Sequence, residues 1–282
     1  MEEMDDMGDM CGMAGTAVGD RHAEDLEIIG RLRLLDDDFM RCVFRGRTDL
    51  VQLVLRTLIG DEELEVEGSE TQYDLKWPAG TRSLELDVLA AGADGTLYDL
   101  EVQRGDDPNP RRLRYHSAAM DAEAFLPGEE FESLPEQWVV LVMEGDPFGE
   151  GAGTYAYERG RDGIALGDGA RTLYVNGAYR GDDELGKLMH DFRQSDPDEM
   201  WLGPLADGVR YWKRTEEGMR KMCQIIEDMR REERQRGFER GIEQGVLDSI
   251  RSLMETTQCS VQEILGLLKV PESDRSKYLA ML

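Results

Sequence analysis

The sequence predicts a mixed α/β core followed by an all-helical C-terminal region. Three observations support this fold class. A helical pattern precedes three strand-like segments, a continuous apolar run lies near residues 138–144, and the segments after Asp182 have a helical pattern. Helices and strands interspersed in this way are typical of a mixed sheet flanked by helices. A chain of 282 residues is long enough for one such core and a smaller second region.

The first helical pattern covers residues 36–59. Apolar side chains recur there at spacings of three and four, which is the period of an amphipathic helix. Three aspartates at residues 36–38 suit the start of a helix, and Gly60 suits its end. We therefore expect one helix before the strands.

The sheet is predicted from five segments. Strands are expected at residues 70–77, 84–90, 97–103, 138–144 and 172–176, with a helix over residues 111–123. The turn sequence Ala-Gly-Ala-Asp-Gly separates the second and third strands. Residues 138–144 are almost uniformly apolar, which is typical of a buried central strand.

The C-terminal region is predicted to be helical, with a long segment over residues 205–254. This segment contains the glycine series Gly237, Gly241 and Gly245. Residues 260–282 suggest two short helices, the first starting at a Ser260/Glu263 capping box and the second at Pro271.

These patterns divide the chain into four stretches. Residues 1–24 are interpreted as a disordered acidic leader, because they lack a core-forming pattern. Residues 25–180 form the predicted α/β core and residues 181–236 a helical extension. Residues 237–282 combine the Gly-x-x-x-Gly helix with a small helical interaction module.

The composition excludes several classes of protein. With 33 basic and 60 acidic residues, the net charge of −27 excludes a generally basic nucleic-acid coat protein. The sequence contains no apolar run near the roughly 20 residues that a membrane span needs. The acidic N-terminus does not resemble a signal peptide. The four cysteines form no zinc or disulfide pattern, so we expect a cytoplasmic protein without membrane contact.

The chemistry-bearing residues lie on the hairpin formed by the second and third predicted strands. Regular alternation places four carboxylates and an amide on one surface, from Glu85, Asp87, Asp99, Glu101 and Gln103. Carboxylates on two neighbouring strands are the oxygen ligands that Mg²⁺ prefers. A solvated sheet face is the alternative, and the spacing alone does not decide between the two.

The stretches LELDVLAAGADGTLYDLEVQ and RRLRYHSAAMD resemble the core of the PD-(D/E)XK nucleases. More narrowly, they resemble the Rpn-type recombination-promoting nucleases, a group also labelled transposases. The further stretches FMRCVF, GKLMHDFRQSDPDEM, LADGVRYWKRTEEGMRKMCQIIEDMRREER and the Gly-x-x-x-Gly tail agree in order, over about residues 36–282. The resemblance implies a restriction-endonuclease-like core and a Mg²⁺-dependent DNA endonuclease linked to recombination, mobile elements or phage defence.

The resemblance also implies roles for individual residues. Asp87 corresponds to the first metal ligand and Glu101 to the second, with the carbonyl of Val102 as a further ligand of Mg²⁺, for which Mn²⁺ could substitute. Gln103 stands where the motif has lysine, so it can hold the attacking water but supplies no positive charge. Leu86 replaces the proline before the first aspartate. Asp38 is the candidate for an additional acid on the first helix, with a plain helix cap as the alternative.

Two segments that flank the predicted site are locally basic. Residues 31–60 contain six arginines and four aspartates, and residues 103–116 contain four arginines and two aspartates. Arg111, Arg112 and Arg114 are the expected DNA phosphate contacts, with ordinary surface ion pairs as the alternative. His116 is interpreted as a packing or surface residue.

The glycine-rich tail suggests a helix–helix contact between protomers or a flexible spacer. Its closing helices carry few basic residues, which favours protein interaction and a homo-oligomer over DNA reading. Three functions therefore compete: an active nuclease, a catalytically lapsed nuclease core that binds DNA or assembles, and an acidic interaction protein.

Overall fold

The computed structural model describes residues 22–75, 84–105 and 107–282. The chain divides into two compact units, the first ending at Arg220 and the second covering Lys221–Leu282. Most of the predicted acidic leader and the end of the first predicted strand lie outside the described residues. No helix in the described part of the chain is both long and apolar enough to cross a membrane.

Three helices precede the sheet. They are α1 at residues 22–31, α2 at Asp37–Phe44 and α3 at Thr48–Ile59. The expectation of one helix over residues 36–59 was wrong, because Gly46 adopts a φ of +67° and ends the first segment. Gly60 caps α3 as predicted, with a φ of +78°. Both helices bury their apolar faces in the core of the first unit.

A mixed sheet forms the centre of the first unit, as the sequence predicts, and it contains six strands where five were expected. The strands are β1 Val66–Leu75, β2 Leu84–Gly92, β3 Leu97–Gln103, β4 Gln137–Met143, β5 Thr154–Glu158 and β8 Ala170–Asn176, in the order β1-β2-β3-β4-β8-β5. A separate small hairpin comprises β6 Gly160–Arg161 and β7 Ile164–Ala165. Strands β5, β6 and β7 were not predicted, because they are short and mostly exposed.

The centre of the sheet is parallel and its flanks are antiparallel. Strand β4 pairs in parallel with both β3 and β8, while β1, β2 and β5 join by antiparallel ladders. The parallel pairing of β3 and β4 requires a crossover, which helix α4 at Pro110–Ala124 provides. Residues Val139–Met143 of β4 are almost fully buried, which explains their continuous apolar character.

Two helices follow the sheet within the first unit, α5 at Glu184–Arg193 and α6 at Gly203–Arg214. Buried Lys213 of α6 fixes this region to the N-terminal helices. Its ammonium group donates hydrogen bonds to the carbonyls of Gly30, Leu32 and Ser195, at 3.1, 2.5 and 2.6 Å. One side chain thus joins three separate chain segments.

All regular secondary structure described in the C-terminal region is helical. Helix α7 covers Glu216–Thr256, followed by α8 at Val261–Leu267 and α9 at Glu272–Met281. The predicted helix over residues 205–254 is instead two helices, because the chain leaves helical geometry at Thr215, whose hydroxyl accepts from the amide of Gly218. The Ser260/Glu263 capping box is present as predicted, and α9 begins directly after Pro271.

Candidate metal centre on the β2–β3 hairpin

The candidate site lies where the ladder between β2 and β3 opens. The two strands pair from Val88↔Leu100 to Ala91↔Leu97, and beyond that point side chains replace the backbone ladder. The amide of Asp87 donates to Glu101 Oε1 at 2.9 Å, and the amide of Val102 donates to Asp87 Oδ2 at 3.3 Å. Each of the two carboxylates therefore accepts a hydrogen bond from a backbone amide of the opposite strand.

Strand β2 does not alternate regularly at this point. Leu86 and Leu89 are three positions apart, yet both pack against one apolar cluster, whereas regular alternation places such residues on opposite faces. On β1, Gln72 lies opposite Asp87, between the pairs Thr71↔Val88 and Tyr73↔Leu86, and has a φ of +59°. The expectation of uninterrupted alternation through β2 was therefore wrong.

Three of the five residues expected on one surface form a buried cluster, which we call the acid cluster: Asp87, Asp99 and Glu101. Their relative exposures are 8%, 0% and 1%. The alternative of a solvated sheet face is therefore wrong for these residues. Glu85 is exposed and Gln103 is partly exposed, so both lie at the edge of the cluster.

Two arginines contact the acid cluster from different helices. Arg112 of α4 donates to Glu101 Oε2 at 2.6 Å and to Gln103 Oε1 at 2.9 Å. Arg41 of α2 donates to Glu85 at 2.6 Å and lies 3.6 Å from Asp87 Oδ1. These cations offset part of the negative charge that the strands bring together.

Asp38 is hydrogen-bonded to Arg41, which in turn lies beside Asp87. The residue before the first turn of α2 is Asp36, so the interpretation of Asp38 as a plain helix cap was wrong. Asp36 makes no side-chain cap to α2 and instead accepts from the amide of Arg33 at 2.7 Å. Asp38 therefore orients a cation of the site.

His116 of α4 is a member of the site that the sequence did not reveal. It is 1% exposed, and its Nδ1 lies 2.8 Å from Asp99 Oδ2 and 3.9 Å from Glu101 Oε1. The spacing of His116 four residues after Arg112 was the available signal, since it puts both on one face of a helix. Packing is thus only part of its role.

Burial and mutual repulsion raise the pKa values of the acids. Burial, with the charge of Glu101, raises the pKa of Asp87 to about 7. Burial, with the charge of Asp99, raises the pKa of Glu101 to about 7. Burial also raises the pKa of Asp99 well above its usual value and lowers the pKa of His116. Such perturbed groups concentrate at functional sites, although structural networks produce them too.

The donor set fits a divalent cation. Asp99, Glu101 and His116 each offer a ligand atom, and these atoms lie within 4.8 Å of one another. Asp99 Oδ1 is buried and has no hydrogen-bond partner, which leaves an oxygen available to a cation. Asp87 adds a further carboxylate beside Glu101. The carboxylate oxygens are donors for hard divalent cations, and the imidazole of His116 is a nitrogen donor that transition metals favour.

The predicted phosphate-contacting arginines are not equivalent. Arg112 contacts the acid cluster, whereas Arg111 and Arg114 are exposed and make no ion pair within the described residues. Most arginines of the other basic segment bind within the fold: Arg33 to Glu144, Arg45 to Gln72, Arg47 to Asp49 and Arg56 to the carbonyl of Leu64. The exposed positive charge near the site therefore comes mainly from α4.

Comparison with known proteins adds no family to this geometry. No family model, curated protein or solved structure matches the chain.

Proposed function

We propose that the protein is a divalent-metal-dependent endonuclease that hydrolyses phosphodiester bonds in DNA. The observation that carries this proposal is the meeting of Asp87 and Glu101 at the opened end of the hairpin, with arginines on either side. Buried carboxylates at this density are costly without a cation, and a divalent ion would offset that cost. The preferred ion is Mg²⁺, with Mn²⁺ as a substitute.

Asp87 and Glu101 would hold the metal, together with the backbone carbonyl of Val102. Asp99, two residues before Glu101 on β3, would add a further carboxylate. A bound Mg²⁺ supplies an activated water and polarises a phosphate oxygen. His116 holds Asp99 through their 2.8 Å contact, which positions the carboxylate that adjoins Glu101. The diverging backbone keeps the two principal ligands at a fixed separation.

Gln103 and Arg112 would act on the reacting phosphate. Gln103 is held at both ends, because its oxygen accepts from Arg112 and its amide nitrogen donates to the carbonyl of Asp107 at 2.9 Å. The guanidinium of Arg112 brings to this position the positive charge that a glutamine lacks. Stabilisation of developing negative charge would then come from α4 as well as from the metal.

The DNA backbone would approach along α4. Arg111 and Arg114 are exposed there, and phosphate contacts by arginine position a duplex without reading its sequence. We place the activity in the cytoplasm, in recombination, mobile-element transfer or phage defence, and assign the C-terminal helices to self-association.

A catalytically lapsed core that binds DNA or assembles is the second candidate. The observation that favours it is that both oxygens of Glu101 already accept a hydrogen bond, one from the amide of Asp87 and one from Arg112. If these bonds persisted in the presence of metal, the acid cluster would serve only the stability of the fold.

Cleavage of plasmid DNA tests the proposal. The purified full chain is incubated with supercoiled plasmid and Mg²⁺ or Mn²⁺, with and without EDTA, beside Asp87→Ala, Glu101→Gln and the control Glu67→Ala. Glu67 is an exposed carboxylate near the start of β1. We expect metal-dependent nicking or linearisation by the wild type and the control, and none by the other two variants.

Absence of cleavage by the wild type with either metal would contradict the enzyme proposal. Equal cleavage by Asp87→Ala would contradict the assignment of the ligand. DNA binding without cleavage would favour the lapsed core.

A further inference from the structure

A second site is a cleft of about 520 Å³ between α4 and the β5–β8 edge of the sheet. Its wall is aromatic, since Phe148, Tyr157 and Tyr174 contact one another with ring centroids 5.3 to 5.7 Å apart. Tyr174 is buried, whereas Phe148 and Tyr157 are 37% and 51% exposed. Phe148 and Tyr157 therefore expose part of their rings to the cleft, and the buried Tyr174 packs against both of them.

Arg114 gives the cleft an available positive charge. It lines the cleft and has no ion pair within the described residues. The other charged side chains of the lining have partners: Asp121 with Gln137, Glu158 with Arg171 and Arg159 with Asp168. In a protein of net charge −27, an arginine left open beside aromatic rings suits a planar ligand that carries an anionic group.

The cleft is connected to the acid cluster by one helix and one loop. Arg112 and Arg114 are two residues apart on α4, so they point to different sides of the helix, one into the acid cluster and one into the cleft. Pro108 and Pro110 line the cleft, Pro108 in the segment that joins Gln103 to α4 and Pro110 as the first residue of α4. A strand that crosses the first turn of α4 would contact both sites.

We propose that this cleft binds an unpaired nucleobase, stacked on Tyr157 and Phe148, with its phosphate on Arg114. The identification of the ligand as part of a nucleic acid rests on the proposed function. Aromatic rings stack on any base, so the cleft selects for an unpaired base rather than for a sequence. The substrate class that follows is single-stranded DNA, or duplex DNA with an unpaired end or flap.

Binding in EDTA tests the cleft separately from catalysis. Fluorescence anisotropy is measured for the full chain with a labelled 20-nucleotide single strand and with the same sequence as a blunt duplex. Unlabelled dAMP serves as competitor. We expect the single strand to bind more tightly than the duplex, and dAMP to displace it. Tyr157→Ala should weaken single-strand binding by about ten-fold, and Tyr157→Phe should preserve it.

Arg114→Gln is a second variant, at an exposed position where folding is not at risk. It should weaken binding and reduce its dependence on salt, while the matched control Arg161→Gln, at an exposed arginine of β6, should change neither. Equal affinity for single strand and duplex, or an unchanged affinity in both Tyr157→Ala and Arg114→Gln, would overturn the proposal.

Failure of the two proposals can be told apart. If the cleft has no such role, Tyr157→Ala binds DNA normally while Asp87→Ala still loses metal-dependent cleavage. If the nuclease proposal fails, no variant cleaves, yet the anisotropy experiment still reports whether the cleft takes a base.

Discussion

Arg112 is the residue that links the acid cluster to the surface on which DNA would lie. Its guanidinium bonds both Glu101 and Gln103, although its side chain remains 42% exposed. It therefore has two opposite effects on the proposed activity: it offsets the charge that attracts a metal, and it supplies charge to the reacting phosphate.

Replacement of Arg112 should separate these effects. In Arg112→Gln we expect tighter Mn²⁺ binding, because Glu101 loses its competing cation, together with a fall in the cleavage rate of about 100-fold. Calorimetry measures the first and single-turnover plasmid cleavage the second. A variant that loses metal affinity and rate together would show that Arg112 only supports the fold of the site.

The ionised carboxylate of Asp87 should lower the free energy of unfolding. Its pKa is raised to about 7 from an ordinary value near 4, so the folded state binds protons more strongly than the unfolded state. Stability from this group is thus full below the unfolded pKa and is lost as pH rises through the folded pKa. In EDTA at pH 7.5, Asp87→Asn should be more stable than the wild type by about 2 kcal/mol, and the difference should shrink as pH falls and vanish only below the unfolded pKa, near pH 4.

Thermal unfolding at several pH values measures this difference, with Glu67→Gln as the control for loss of an exposed carboxylate. A destabilised Asp87→Asn at pH 7.5 would mean that the hydrogen bond from Val102 outweighs the repulsion within the acid cluster.

At the scale of elements, most of the fold could be predicted because its strands and helices have strong local patterns. Strands β2, β3, β4 and β8 and helix α4 fall where the periodicity placed them. The break at Gly46 and the exposed strand β5 could not be predicted, since one depends on a single left-handed residue and the other on edge pairing to β8. Neither feature leaves a periodic pattern.

The acid cluster shows the same limit. Alternation placed Asp87, Asp99 and Glu101 on one surface with Glu85 and Gln103, and the structure buries only the first three of these five residues. The inward position of His116 and the contacts of Arg41 and Arg112 depend on how helices pack on the sheet, which local sequence does not encode. The irregularity of β2 opposite Gln72 is likewise a tertiary feature.

The glycines of α7 have open space around them. A side chain added at Gly237, Gly241 or Gly245 meets no atom within 4 Å, and the helix continues through all three. Alanine in an open helical position stabilises a helix by about 1 kcal/mol relative to glycine. Nothing within the chain requires glycine at these three positions. Their small size is consistent with the close approach of a second helix.

Gly241→Ala tests that role. We expect a higher thermal stability of the monomer and a weaker self-association, measured by sedimentation at several protein concentrations. Gly186→Ala is a contrasting control, because its new methyl group would lie 1.8 Å from the carbonyl oxygen of Gly181 and should lower the stability of the first unit. Unchanged self-association in Gly241→Ala would remove the glycine series from any protomer interface.

For the whole molecule, the charge of −27 opposes any approach to DNA. The exposed arginines of α4 must act against this field, so binding should be weak and strongly reduced by salt. Each phosphate contact contributes a slope of about 0.9 in the dependence of the logarithm of the binding constant on the logarithm of salt concentration. The number of contacts can therefore be measured.

The double variant Arg111→Gln/Arg114→Gln should lower this slope by about 2 on duplex DNA that carries a single-stranded flap. The measurement is a salt titration of anisotropy in EDTA, with Arg161→Gln as the matched control. A slope unaffected by the double variant would place the DNA on another face of the protein.

The proposed nuclease activity requires that the acid cluster be a metal site. Isothermal titration of the full chain with Mn²⁺, followed by competition with Mg²⁺, should show one saturable site per chain in the wild type and in Glu67→Gln. In Glu101→Gln the affinity should fall at least about ten-fold, because a central oxygen ligand loses its charge. Absence of binding by the wild type, or equal binding by Glu101→Gln, would contradict the assignment of the acid cluster as a metal site.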